Sequence, residues 1–231
     1  MIIRISIVLM LIGFTAKSQE RQAFYFIGNA GIPSGSYKTY LQQTDDFKAN
    51  FGLSAGYLVN PRKKTDYSFP ILVGGEIGFQ GLGSDFVPSD VGGSFSSRHT
   101  AYWFNFVSRY LPIKDSERFK PFVEFQFGPK LQSSKIFEQV SSEESYKVDG
   151  FTSWSRNYGL GGGMDFKLNP RNRSKSYMEI SLFYFYGEKS KRMLRNSALI
   201  DGGGFSNYAV GLASSQNWQI RLGIIGLDSG L

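Results

Sequence analysis

The chain of 231 residues contains no cysteine. That excludes a disulfide framework, and it excludes a lipid-modified cysteine after an export signal. Histidine occurs once, as His99, so a zinc-type centre lacks its usual ligands and no metal is expected. Beyond Phe14 no apolar run approaches the roughly 20 residues that a membrane helix needs, which leaves a closed sheet as the only way into a bilayer. Charge is only moderately one-sided, with 26 Lys and Arg against 19 Asp and Glu, which is no nucleic-acid signature. Neither a cofactor nor a nucleic-acid partner is expected.

What is present starts with a secretory layout at residues 1–18. Arg4 precedes an apolar run from Ile5 to Phe14, and Ala16 and Ser18 supply small residues at a peptidase site. Cleavage is expected between Ser18 and Gln19, leaving residues 19–231 as one domain. Removing Arg4 and Lys17 lowers the basic count from 26 to 24 and the net charge from +7 to +5.

Apolar and polar residues then alternate in eight segments: Gln22 to Ile32, Asn50 to Val59, Phe69 to Gly81, His99 to Leu111, Pro121 to Gln132, Trp154 to Leu168, Tyr177 to Gly187 and Asn217 to Leu227. The fifth shows the period clearly. Val123, Phe125, Phe127 and Leu131 share one face, and Glu124, Gln126, Lys130 and Gln132 the other. In the fourth, Tyr102, Phe104, Phe106 and Tyr110 oppose Asn105 and Arg109. A period of two with aromatic residues near segment ends predicts an all-β, antiparallel up-and-down transmembrane barrel. Eight strands are expected, with ten as the alternative if Phe205 to Leu212 forms a further strand. Glycines such as Gly159, Gly161, Gly162 and Gly163 suit a tightly curved small barrel.

Gap lengths alternate as well. The first, third, fifth and seventh connections span about 17, 17, 21 and 29 residues, and the second, fourth and sixth about 9, 9 and 8. Short periplasmic turns and long extracellular loops are the pattern of bacterial outer membrane barrels. The short turns are basic and share a character, Asn60-Pro61-Arg62-Lys63-Lys64 and Asn169-Pro170-Arg171-Asn172-Arg173. The chain is therefore expected in the outer membrane of a Gram-negative bacterium, with both termini in the periplasm.

The inward-facing set carries Glu76, Arg109, Glu124, Lys130, Asp165, Lys167, Glu179 and Arg221, four acids and four bases. An eight-stranded lumen is just wide enough for side chains to fill it, and a lone buried charge costs several kcal/mol. These residues are expected to pair into a structural plug. Arg156 falls on the outward parity. In the last long loop Lys189, Lys191, Arg192 and Arg195 offer contacts to lipopolysaccharide phosphates, and Gly202-Gly203-Gly204 reads as its tip.

Catalytic chemistry has few footholds. His99 is followed by Thr100 and Ala101, so the histidine and serine spaced two apart in a barrel-type lipid A deacylase are missing. His99 could serve as a base only toward Ser96 or Ser97. Asp45-Asp46, and Asp85 or Asp90, could bind calcium weakly through loop oxygens, but an ordinary solvated loop accounts for them better.

Taken with the signal ending in Lys17-Ser18-Gln19 and the closing strand Trp218-Gln219-Ile220-Arg221-Leu222-Gly223, these patterns resemble the small outer membrane β-barrel domain family. That is the OmpA/OmpX-like group, whose Bacteroidetes-type branch includes PorT-like proteins. The resemblance implies outer membrane lipid, lipopolysaccharide and the barrel-assembly machinery as partners. It carries over no common active site, and its PorT-like branch implies a protein partner in secretion. The family's final strand usually ends in an aromatic residue, whereas here Leu227 is followed by Asp228-Ser229-Gly230-Leu231. Three functions are expected in order: a non-enzymatic integral outer membrane protein whose loops carry structural, adhesive or envelope duties, an accessory subunit of a secretion or surface-assembly machine, and a lipid-modifying enzyme using His99.

Overall fold

In the computed structural model the described residues are 22–41, 50–61, 70–90, 92–112, 118–140, 144–168, 176–194, 196–204 and 206–228. The expected cleavage site lies outside them, as do most of the basic turn residues. Eight antiparallel strands close a barrel: β1 (Gln22–Pro33), β2 (Asn50–Val59), β3 (Ile71–Val87), β4 (Ser94–Tyr110), β5 (Phe119–Gln139), β6 (Ser145–Lys167), β7 (Ser176–Gly187) and β12 (Asn217–Asp228). Every neighbour in sequence is a neighbour in space, and β12 completes the ring by pairing with both β7 and β1, from Gln22↔Asp228 to Pro33↔Asn217.

The remaining elements sit at the long-loop end. Helix α1 (Gly35–Leu41) follows β1. Within the last long connection, β8 (Ser190–Met193) pairs with β11 (Val210–Ala213), and β9 (Leu199–Ile200) with β10 (Ser206–Asn207). Residues 206–212 therefore extend the last hairpin and do not add strands to the wall. Eight, not ten, is the strand count. No helix among the described residues is long and apolar enough to cross a membrane.

The wall is longer on one side. Strands β3 to β6 run 17 to 23 residues, against 10 to 12 for β1, β2, β7 and β12. The four long strands continue past the expected ends at Gly81, His99, Gln132 and Trp154. Ladder hydrogen bonds can carry a hairpin onward after the apolar alternation stops, because backbone pairing does not depend on it. The extension of β3 contains a bulge between Gly81 and Gly83. Gly83 has φ 103 there, a conformation closed to most side chains.

Alternation sorts the two faces as expected. Phe24, Phe51, Ile77, Phe104, Leu160, Leu182 and Leu222 face outward, each at least half exposed. A continuous apolar outer surface of this extent does not suit water. Inward, Ala23, Tyr25, Ile27, Leu58, Leu72, Val107, Tyr177 and Ile225 form an apolar floor at the short-turn end. Phe183 and Phe185 point inward and stack at 5.7 Å. Their room comes from Gly161 and Gly159 on β6, where a methyl group would overlap the two rings.

Candidate functional site

Directly above the apolar floor lies an enclosed ionic cluster, assembled by period-two alternation on six strands. Glu76 (β3), Arg109 (β4), Glu124 (β5), Asp165 (β6), Glu179 (β7) and Arg221 (β12) are each at most 1% exposed. Arg109 is the hub. Its Nε donates to Glu124 Oε2 at 2.6 Å, its Nη2 lies 2.9 Å from Glu179 Oε2, and its Nη1 lies 3.8 Å from Asp165 Oδ2. Arg109 and Glu124 are direct cross-strand partners, as are Asp165 and Glu179. Two like charges directly opposite repel, and the guanidinium bridging them offsets that. Arg221 completes the cluster, pairing with Glu76 and lying 3.7 Å from Glu124 Oε1.

Four carboxylates thus face two guanidinium groups, and neutral donors make up the difference. Tyr25 Oη donates to Glu76 at 2.9 Å and Trp103 Nε1 at 3.0 Å. Gln126 Nε2 donates to both Glu124, at 2.7 Å, and Glu76, at 3.2 Å, and Ser181 Oγ donates to Glu179 at 3.0 Å. Aromatic faces cover the cations: Arg109 sits 4.0 Å from the Phe122 ring centroid and Arg221 4.6 Å from that of Phe183. Such contacts favour a desolvated cation. Every strong contact in the cluster is made to another wall residue, which is how a buried ionic set is held when it cross-links structure.

One residue expected in this network, Lys130, sits apart from it. Lys130 points inward and is 2% exposed, yet it occupies a higher level, where its charged neighbour is Arg192. Lys167 is half-buried at the last position of β6. Lys130 is separated because inward parity does not specify height along the lumen. Sequence also missed Tyr25, Trp103 and Gln126, whose inward parity was legible but whose role as neutral donors needed the register.

A second constellation surrounds His99, nearer the long loops. Its Nδ1 contacts Ser134 Oγ at 2.8 Å, directly across on β5, and its Nε2 contacts Ser97 Oγ and Asp85 Oδ2, each at 3.2 Å. Ser97 is in place for His99, whereas Ser96 is on the other face. A hydroxyl and a carboxylate on opposite sides of one imidazole match the atom types of nucleophilic catalysis. However, His99 is only 5% exposed and Ser97 2%. Val87, Phe95, Ile136, Met193, Ala198 and Ile200 form an apolar cluster at this end of the barrel, with Phe151 and Tyr208 against it. As built, the imidazole ties β3, β4 and β5 together. Asp85 belongs to this cluster and is not a calcium-binding loop residue. No group of three or more metal-ligating side chains occurs among the described residues.

The basic loop residues separate. Lys189 and Lys191 are exposed, but Arg192 is 3% exposed, with its guanidinium 5.0 Å from the Tyr37 ring centroid. The expected lipopolysaccharide contact is therefore corrected for Arg192, because β8 continues the inward and outward alternation of a strand. Arg195 lies outside the described residues. Arg156 faces outward as expected, its Nη1 3.7 Å from Glu188. Gly203 and Gly204 close a turn on Asp201, donating to its Oδ1 and its carbonyl.

A closed eight-stranded barrel with an apolar exterior and an occupied lumen defines the fold of the small OmpA/OmpX-like outer membrane barrels. Similar solved structures include a major outer membrane protein of Thermus thermophilus, with 14% identity, a TM-score of 0.52, and 89% of this chain and 99% of that one covered. Neisserial surface protein A is 9% identical, with a TM-score of 0.45 and coverage of 90% and 97%. The attachment invasion locus protein Ail of Yersinia pestis is 12% identical, with a TM-score of 0.41 and coverage of 89% and 97%. No protein-family model and no curated protein matches the chain.

Proposed function

We propose that the chain is a non-enzymatic integral protein of the outer membrane, whose long loops carry a structural, adhesive or envelope role. The observation that carries this reading is the pairing of an apolar outer wall with an ionic cluster spent on cross-links between strands. The wall fits lipid, and the cluster leaves its acids and bases committed to one another. Cell fractionation with heat-modifiable gel migration tests it. The protein should sediment with the outer membrane and migrate differently before and after boiling, whereas soluble material without that shift would defeat the reading.

Two further readings have their own tests. The enzyme reading has the contacts of His99 with Ser134 and Asp85 in its favour; unchanged lipid A mass spectra in His99→Ala would end it. A subunit role in secretion or surface assembly, suggested by the PorT-like resemblance, requires a stable partner in a mild-detergent pull-down. Lys189 and Lys191 remain open to lipopolysaccharide on the exposed side of the last hairpin.

A further inference from the structure

We infer that the outer wall of β4, β5 and β6 carries a phosphate-binding site for an anionic glycolipid of the outer leaflet, formed by Arg98, Lys135 and Lys147. The site rests on the outer membrane reading above.

Arg98 and Lys135 are direct cross-strand partners, and Lys135 is in turn the partner of Gly150 on β6. Lys147 reaches the same place over the bulge between Ile136 and Phe137. The missing side chain of Gly150 leaves a position 3.3 Å from Lys147 Cε and 3.4 Å from Lys135 Cγ. All three cations are exposed on the outward face. The guanidinium of Arg98 lies 5.1 Å from the Phe137 ring centroid, which restricts where it can point.

Three like charges on adjacent strands are unfavourable, and among the described residues no carboxylate lies in ion-pair range of any of them. Two nearby acids belong to the other face. Glu138 is paired with buried Phe95, and Asp149 is paired with buried Ile136 and takes hydrogen bonds from Ser206 and the Gly150 amide. Among the described residues, therefore, the protein supplies this patch with no anion in ion-pair range.

Its height suggests the source. Tyr102, Leu131 and Trp154 are cross-strand partners on the outer face toward the long loops, beyond which exposed Phe86 stands among polar residues. The row of Arg98, Lys135 and Gly150 lies four positions further along each strand. At about 3.3 Å per residue and a tilt of about 40°, that is about 10 Å above the aromatic level. Sugar-phosphate headgroups of outer-leaflet glycolipids occupy that layer. Phosphate accepts several charge-assisted hydrogen bonds at once, which suits two ammonium groups and a guanidinium arranged side by side.

The test uses the full chain folded in detergent, titrated with bisphosphorylated lipid A and with dephosphorylated lipid A. Retained heat-modifiable migration verifies folding. The wild-type chain should prefer the phosphorylated form. The Arg98→Gln, Lys135→Gln, Lys147→Gln triple variant should lose at least about tenfold in affinity for it, as expected from three partly exposed ionic contacts, with binding of the dephosphorylated form unchanged. Asp201→Asn, at the exposed turn of the last long connection, should stay within about twofold of wild type. Equal binding of both lipids by the wild type would overturn the proposal, as would full affinity in the folded triple variant. Fractionation is independent of these titrations, so a barrel that resides in the outer membrane but ignores the phosphates sinks this site alone.

Discussion

Near the short-turn end of the lumen, Arg109 and Arg221 gather four carboxylates, and the bonds run to wall residues on six strands. Nearer the long loops the arrangement is looser. His99 links three strands through single contacts, and Ser153 Oγ, Ser155 Oγ, Gln132 Nε2 and Asn157 Oδ1 make no hydrogen bond among the described residues, as is also true lower down of both Asp165 carboxylate oxygens and Arg221 Nε. The difference follows from what the outer wall faces. Within lipid, the lower lumen has no competing solvent, so the charges there are gathered around one another, two guanidinium groups among four carboxylates. Toward the loops water can serve, and the polar groups need not be matched one by one.

This contrast orders the expected outcomes of substitution. Arg109→Met should be the most damaging, because it leaves Glu124 and Glu179 enclosed without their cation. A loss of about 3–5 kcal/mol is expected, read from urea unfolding followed by tryptophan fluorescence in lipid vesicles. Pairing it with Glu124→Gln should restore part of that loss, and no recovery would show that the two groups are not coupled. Next comes Gly161→Ala, which forces the added methyl against Phe183; about 1–3 kcal/mol is expected from overpacking, by the same measurement. His99→Asn should cost only about 1 kcal/mol, with faster proteolytic cutting in the last long loop as its more sensitive readout. A loss as large as that of Arg109→Met would erase the distinction between the two levels. Asp201→Ala, at the exposed turn, should change stability by less than about 0.5 kcal/mol.

Much of the barrel was legible because lipid outside and side chains inside impose a period of two along every strand. Asn50 to Val59 coincides with β2, and Tyr177 to Gly187 and Asn217 to Leu227 come within a residue of β7 and β12 at each end. Above the apolar band that requirement ends, so the continuations of β3 to β6 left no alternating signal. Parity also explains what was found and missed around His99. Counting on from Glu124 and Gln126 would put Ser134 inward, opposite the imidazole, had the fifth segment been carried past Gln132. Asp85 was hidden for a different reason: the bulge at Gly81 and Gly83 switches β3 from even inward positions, Glu76 and Gln80, to odd ones. Within the ionic cluster, membership followed from parity, but pairing required the register and the height of each residue, which set Lys130 apart.

The pairing of β1 with β12 sets a timetable for biogenesis. The two strands that seal the ring lie at opposite ends of the described chain, so β1 waits with one unpaired edge until β12 has been made. Until then both β1 and β7 present open hydrogen-bonding edges, and the seal has the longest sequence separation in the molecule, which slows its formation. The incomplete sheet is a template for its own misassembly. A chaperone that occupies the β1 edge would have its most valuable moment just before the last strand arrives.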